Sequence, residues 1–174
     1  MMGDREDYKE DCKRKAAYAL EQMRRGTIGY RFALWCITEN LREGRWFLFE
    51  IGTRPAELNK LRIEDCKKSV QSWIDALQFG FFAEPDEAIK YIRNRLGKSG
   101  LSLFDAVNIN EEKLEEFRVK AWEMVARNGV DIFEKQKCPL TACSILKAAE
   151  RGGFPLSNIG VDEKELEKVL SEYR

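Results

Sequence analysis

Apolar side chains recur at steps of three and four along almost the whole of this chain, and proline occurs only four times in 174 residues. A period near 3.6 gathers those side chains on one face of an α-helix, whereas a half-buried strand needs strict alternation. From Asp4 to Arg25 the stripe is Tyr8, Cys12, Ala16, Ala19, Leu20 and Met23; Gly26 ends it and Thr27 is placed to cap the next helix. Residues Ile28 to Leu41 are apolar on most sides, which predicts a helix at the centre of a bundle. The run Trp46-Phe47-Leu48-Phe49-Glu50-Ile51 suits a buried helical turn or a short strand. With no second strand to pair with, helix is the better reading.

Three of the prolines stand where a helix begins, the position that best tolerates a missing N–H. Pro55 precedes a helix from Glu57 to Phe82 that carries Cys66, Val70, Trp73, Ile74, Leu77 and Phe81. Pro85 opens another, with Ala88, Ile89, Ile92 and Leu96 inside and Gly97 as its C-cap. Asn110 caps a helix bearing Leu114, Phe117, Ala121, Trp122 and Val125 that Asn128-Gly129 ends, and Pro139 starts the next. Asp162 and Glu165 are spaced as a capping box and Val161 and Leu166 as a hydrophobic staple, with Val169, Leu170 and Tyr173 completing the last helix. The expected fold is all-α, a compact multi-helix bundle of six to eight helices centred on residues 28–50 and 57–82. It is expected to form one domain over 1–174, with a subdomain division near 97–101.

Composition removes whole classes of chemistry. There is no histidine, so neither a Ser-His-Asp nor a Cys-His nucleophile system can be built, and no imidazole is available as a metal ligand or a neutral-pH switch. Lys and Arg total 30, as do Asp and Glu, which leaves no global field to attract nucleic acid or an anionic membrane. The charged N-terminus lacks the apolar core of a secretory signal, and no apolar stretch nears the ~20 residues of a membrane span. Five cysteines, an odd number set mostly in helical patterns, fit a reducing compartment; the expected location is cytoplasmic, with no membrane partner. Cys138 and Cys143 with Cys12, Cys36 and Cys66 could supply an iron–sulfur or zinc site, but cysteines on apolar stripes more simply serve as small hydrophobes. No phosphate-binding glycine loop is present.

Three constellations remain. Eight basic residues against three acidic ones lie between Lys13 and Arg45, and Arg24, Arg25, Arg31, Arg42 and Arg45 are the candidate nucleic-acid contacts, since arginine beside aromatic rings suits phosphates and unstacked bases. Glu39 and Glu43 share a helix face one turn apart, and Asp75 lies on a later helix; carboxylates on facing helices can hold Mg²⁺. Trp46, Phe47, Phe49, Phe81 and Phe82 exceed the apolar surface that a bundle of this size readily hides and are the candidate interface.

The order Ala33-Leu34-Trp35-Cys36-Ile37-Thr38-Glu39-Asn40-Leu41-Arg42-Glu43, then Phe47, then Trp73-Ile74-Asp75-Ala76-Leu77-Gln78-Phe79 resembles the core of the all-α NTP pyrophosphatases, the MazG and dimeric dUTPase group. That resemblance implies Mg²⁺-dependent nucleotide hydrolysis, with Glu39, Glu43 and Asp75 as metal ligands. The first glutamate of the family's ExxE pair falls on Cys36, that of its ExxD pair on Ser72, and its usual basic residue on Leu48. No catalytic residue is therefore assigned, and no cofactor is expected outside that reading. The leading expectation is a cytosolic, non-catalytic interaction module that binds a protein partner or self-associates through its aromatic face. A divergent pyrophosphatase and a nucleic-acid-binding accessory protein are the alternatives.

Overall fold

The computed structural model describes residues 3–172. The fold is all-α: eight α-helices and two short 3-10 turns, with no strand among the described residues. None of these helices is long and apolar enough to cross a membrane. The chain forms two compact units, Met1–Lys68 and Ser69–Arg174. The boundary falls inside a helix, whereas residues 97–101 lie within the second unit.

The first unit is built on a helical hairpin. Helix α1 (Gly3–Arg25) buries Cys12, Ala16, Ala19, Leu20 and Met23 of the stripe its spacing predicts, whereas Tyr8 is half exposed. Helix α2 (Tyr30–Gly44) returns along it and buries Ala33, Ile37, Leu41 and Gly44. Small residues at Ala16, Ala19 and Ala33 let the two backbones approach closely. A Cβ on Gly44 would lie 2.4 Å from the Trp46 ring and 3.1 Å from Cys12, so the hairpin closes only over a bare backbone here. Arg45 takes a left-handed conformation (φ 59°) and Trp46 N–H donates to Leu41 O at 2.8 Å, which terminates the helix. Thr27 does not cap α2. Its hydroxyl turns back to Gln22, and Gly29 is the N-cap.

The sequence overstates the depth of α2. This helix buries one stripe along α1, and Phe32 and Trp35 face solvent. Of the expected helix 46–51 only the 3-10 turn Leu48–Ile51 forms, because Glu50 caps the Phe47 N–H at 2.7 Å and Gly52 (φ 76°) closes it. Helix α3 (Pro55–Gln78) then begins at its proline and crosses the unit boundary.

In the second unit, α3 stops at Gln78 rather than Phe82, because Gly80 turns left-handed (φ 69°). Helix α4 (Pro85–Ser99) runs one turn past the expected Gly97 to a left-handed Gly100. A short α5 (Leu103–Val107) and α6 (Glu111–Gln136) follow, capped by Ser102 and Asn110 as helix-start chemistry requires. Helix α6 does not end at Asn128-Gly129. Gly129 serves packing instead: a Cβ there would lie 2.9 Å from Ile145 Cγ1 on α7 (Pro139–Gly152). Trp122, Ala126, Val130 and Phe133 of α6 meet Ala142, Ile145 and Ala149 of α7, and α8 (Glu163–Ser171) closes the cluster with Leu166 and Val169. Asp162 caps α8 through Lys164 N–H at 3.0 Å, but Glu165 pairs with Lys137 instead of completing the box. Tyr173 lies outside the described residues.

Candidate interaction surface

Two pairs of aromatic rings project from the first unit. On α2, Phe32 and Trp35 stand 6.1 Å apart, centroid to centroid, and are 59% and 60% exposed. They are placed there by helical geometry: with Ala33, Ile37 and Leu41 committed to the core, positions 32 and 35 fall on the opposite side. After α2, Phe47 and Phe49 flank the first residue of the 3-10 turn, stack at 5.7 Å with an interplanar angle of 6°, and are 66% and 70% exposed. Stacking on one another spares each ring part of its contact with water, yet most of both remains wet.

Beside Phe49 is an open depression of about 490 Å³, lined also by Gly52, Thr53, Arg54, Ala56 and Glu57. Thr53 is buried and donates to Glu57 Oε2 at 2.9 Å. Arg24 grips the other oxygen of Glu57 at 2.6 Å and the Gly52 carbonyl at 3.1 Å. The Arg24 guanidinium, helped by the Thr53 hydroxyl, holds the Glu57 carboxyl below its usual range.

Trp46 does not belong with these rings. Its indole N–H donates to Lys9 O at 2.8 Å, and the Lys13 ammonium sits 4.5 Å from its ring centre, so it seals the end of the hairpin. In the second unit Phe81 is 77% exposed and lies 6.0 Å from Phe79, which is 64% exposed. Phe82 instead stacks on Trp73 at 4.9 Å, and Trp73 also stacks with Tyr91 at 4.1 Å. The sequence reading missed Phe32 and Trp35 as surface residues, and also Phe104 and Leu140, which are 65% and 78% exposed. For α2 the signal was present: the step of four through 33, 37 and 41 excludes 32 and 35 from the same face.

The five candidate arginines do not gather. Arg24 and Arg25 end α1 and Arg31 begins α2, while Arg42 and Arg45 lie at the other end of α2, about 16 Å along its axis at 1.5 Å per residue. Arg24, Arg25 and Arg42 are paired with Glu57, Glu21 and Glu39. Arg31 and Arg45 carry no ion pair among the described residues.

The three candidate metal ligands are each engaged locally. Glu39 pairs with Arg42, Glu43 accepts the Tyr8 hydroxyl at 2.8 Å, and Asp75 accepts from Gln71 at 2.7 Å. Glu39 and Glu43 belong to the first unit and Asp75 to the second. The bond to Glu43 keeps the Tyr8 phenol protonated and pushes its pKa up to about 12.

No three acidic or cysteine side chains are grouped to hold a metal ion among the described residues, and their cysteines form no disulfide. Cys12 and Cys66 are buried in helix stripes. Cys138 stands at the start of α7, where the backbone N–H groups of Thr141 and Leu140 lower its thiol pKa.

No protein-family model, curated protein or solved structure matches the chain.

Proposed function

We propose that this protein is a non-catalytic, cytoplasmic interaction module that docks another polypeptide through the aromatic surface of its first unit. The observation that carries this reading is the exposure of two ring pairs, Phe32 with Trp35 and Phe47 with Phe49, on backbone fixed by helix and cap geometry. A ring held in place loses little conformational freedom on binding, and burying each gains roughly 2 kcal/mol. Aromatic anchors of this kind dominate the energetics of protein interfaces. Thiols outside any disulfide fit the compartment that the reading assumes.

Photo-crosslinking tests it. Benzoylphenylalanine placed at Trp35 or Phe49, in the cells that make the protein, is expected to give a covalent adduct with a second polypeptide. The same group at Glu167, on the exposed side of α8, is expected to give none. Equal adduct formation at all three positions, or none at Trp35 and Phe49, refutes the proposal.

A further inference from the structure

Charge around the second ring pair goes further and indicates what kind of polypeptide would cover it. Between residues 30 and 60 there are four carboxylates, and each is already engaged within the first unit. Glu39 is paired with Arg42, Glu43 accepts from Tyr8, Glu50 caps the Phe47 N–H, and Glu57 is held by Arg24 and Thr53. The cations of this stretch are not used up in the same way. Arg45 and Arg54 are exposed and carry no ion pair among the described residues. They bracket Phe47 and Phe49 in sequence, and Arg54 lines the depression beside Phe49 with Ala56. The arrangement is an apolar step, an open hollow next to it, and an exposed arginine lining that hollow with no ion pair among the described residues.

Resting on the docking role proposed above, we infer that the partner segment is acidic and apolar: a polypeptide that lays an apolar side chain into the hollow against Phe49 and sets carboxylates on Arg54 and Arg45. Guanidinium groups match carboxylates in shape and charge, and an acidic flank adds steering on approach. A second copy of the same surface is disfavoured, since it would bring Arg45 and Arg54 toward their own counterparts. Nucleic acid is disfavoured because Phe47 and Phe49 occupy one another's faces, leaving fewer ring faces for bases.

The probe is a fluorescein-labelled helical peptide with Leu and Phe along one face and Glu flanking them. Its counterpart carries Lys in place of Glu. By fluorescence anisotropy on the full chain, the Glu peptide is expected to bind at least about tenfold more tightly at low salt, with the difference shrinking as salt screens it. Arg45→Glu with Arg54→Glu should erase or invert the preference, whereas Lys164→Glu with Lys168→Glu, the same charge change on α8, should leave it intact. Phe47→Ser with Phe49→Ser should weaken both peptides. All these sites are exposed, and unchanged helical circular dichroism confirms that the variants fold.

Equal affinity for the two peptides, or equal effects of the two double charge reversals, overturns the inference. So does a single-stranded oligonucleotide that displaces the Glu peptide, or a dimer that forms without it and is lost on Phe47→Ser with Phe49→Ser. Adducts at Trp35 and Phe49 in the crosslinking test, without any charge preference here, would leave the docking role standing and remove only the acidic partner.

Discussion

Single side chains in this protein show how a local partner fixes both geometry and titration. Tyr8 is half exposed, yet its hydroxyl donates to Glu43 across the hairpin, and losing that proton would set a phenolate against a carboxylate. Its folded pKa is raised, to about 12 from an ordinary 10.0. The contribution to stability is therefore complete below pH ~10 and is lost as pH rises through the folded value. Ultraviolet titration should show a late-ionising tyrosine component, and Tyr8→Phe should remove it. Glu57 has the opposite sign. Its pKa is lowered by Arg24 and Thr53, so its contribution is present above the ordinary carboxyl range and disappears as pH falls through the depressed value. Denaturant midpoints for Glu57→Gln should differ from those of the parent at pH 7, and the two should converge as both are acidified.

Helix contacts put glycine to two different uses. At Gly52 and Gly100 it supplies a left-handed turn, the role a sequence reader expects. At Gly129 and Gly152 it supplies room. A Cβ on Gly152 would lie 2.4 Å from Phe154 and 2.8 Å from Trp122 Cβ; one on Gly129 would meet Ile145 at 2.9 Å. Alanine is favoured over glycine in a helix by about 1 kcal/mol, whereas overpacking costs about 1–3 kcal/mol. Gly152→Ala should therefore destabilise by about 2 kcal/mol, measured by urea unfolding. Gly129→Ala should cost less, because the Ile145 side chain can shift. The same elements are bound by a polar clasp: Asp86 at the start of α4 accepts from Trp122 Nε1 at 3.1 Å and Arg118 Nη1 at 3.0 Å, and Arg118 also donates to the Arg151 carbonyl at 2.7 Å. Arg118 is only 19% exposed. Removing Asp86 by Asp86→Ala would strand two donors, at an expected cost of about 1–3 kcal/mol in the same assay.

For the molecule as a whole, the distribution of burial separates what keeps it folded from what it offers to others. The rings at 32, 35, 47 and 49 lie outside both cores. Replacing exposed residues of this sort usually changes stability by less than ~0.5 kcal/mol. Phe32→Ser with Trp35→Ser should thus leave the thermal midpoint nearly unchanged while reducing binding of the apolar dye bis-ANS. A large drop in the midpoint would mean that these rings support the fold. The charge distribution follows the two units: residues 1–68 hold 15 basic and 12 acidic side chains, and residues 69–174 hold 15 and 18.

Fold class, most helix starts and most buried stripes were legible from the chain alone. Periodicity, prolines and capping residues act within one or two turns, so neighbours in sequence decide them. Tertiary structure decided the rest, because it turns on which backbone comes close to which. Gly129 reads as a stop until α7 is seen against it, and Glu165 reads as half of a capping box until Lys137 arrives from 28 residues away. The run of α2 is apolar on most sides and reads as the centre of a bundle, but α1 covers only one stripe of it. Hydrophobicity states how much surface a helix would hide; only the partner helices determine how much is hidden, and the remainder is the surface left for another molecule.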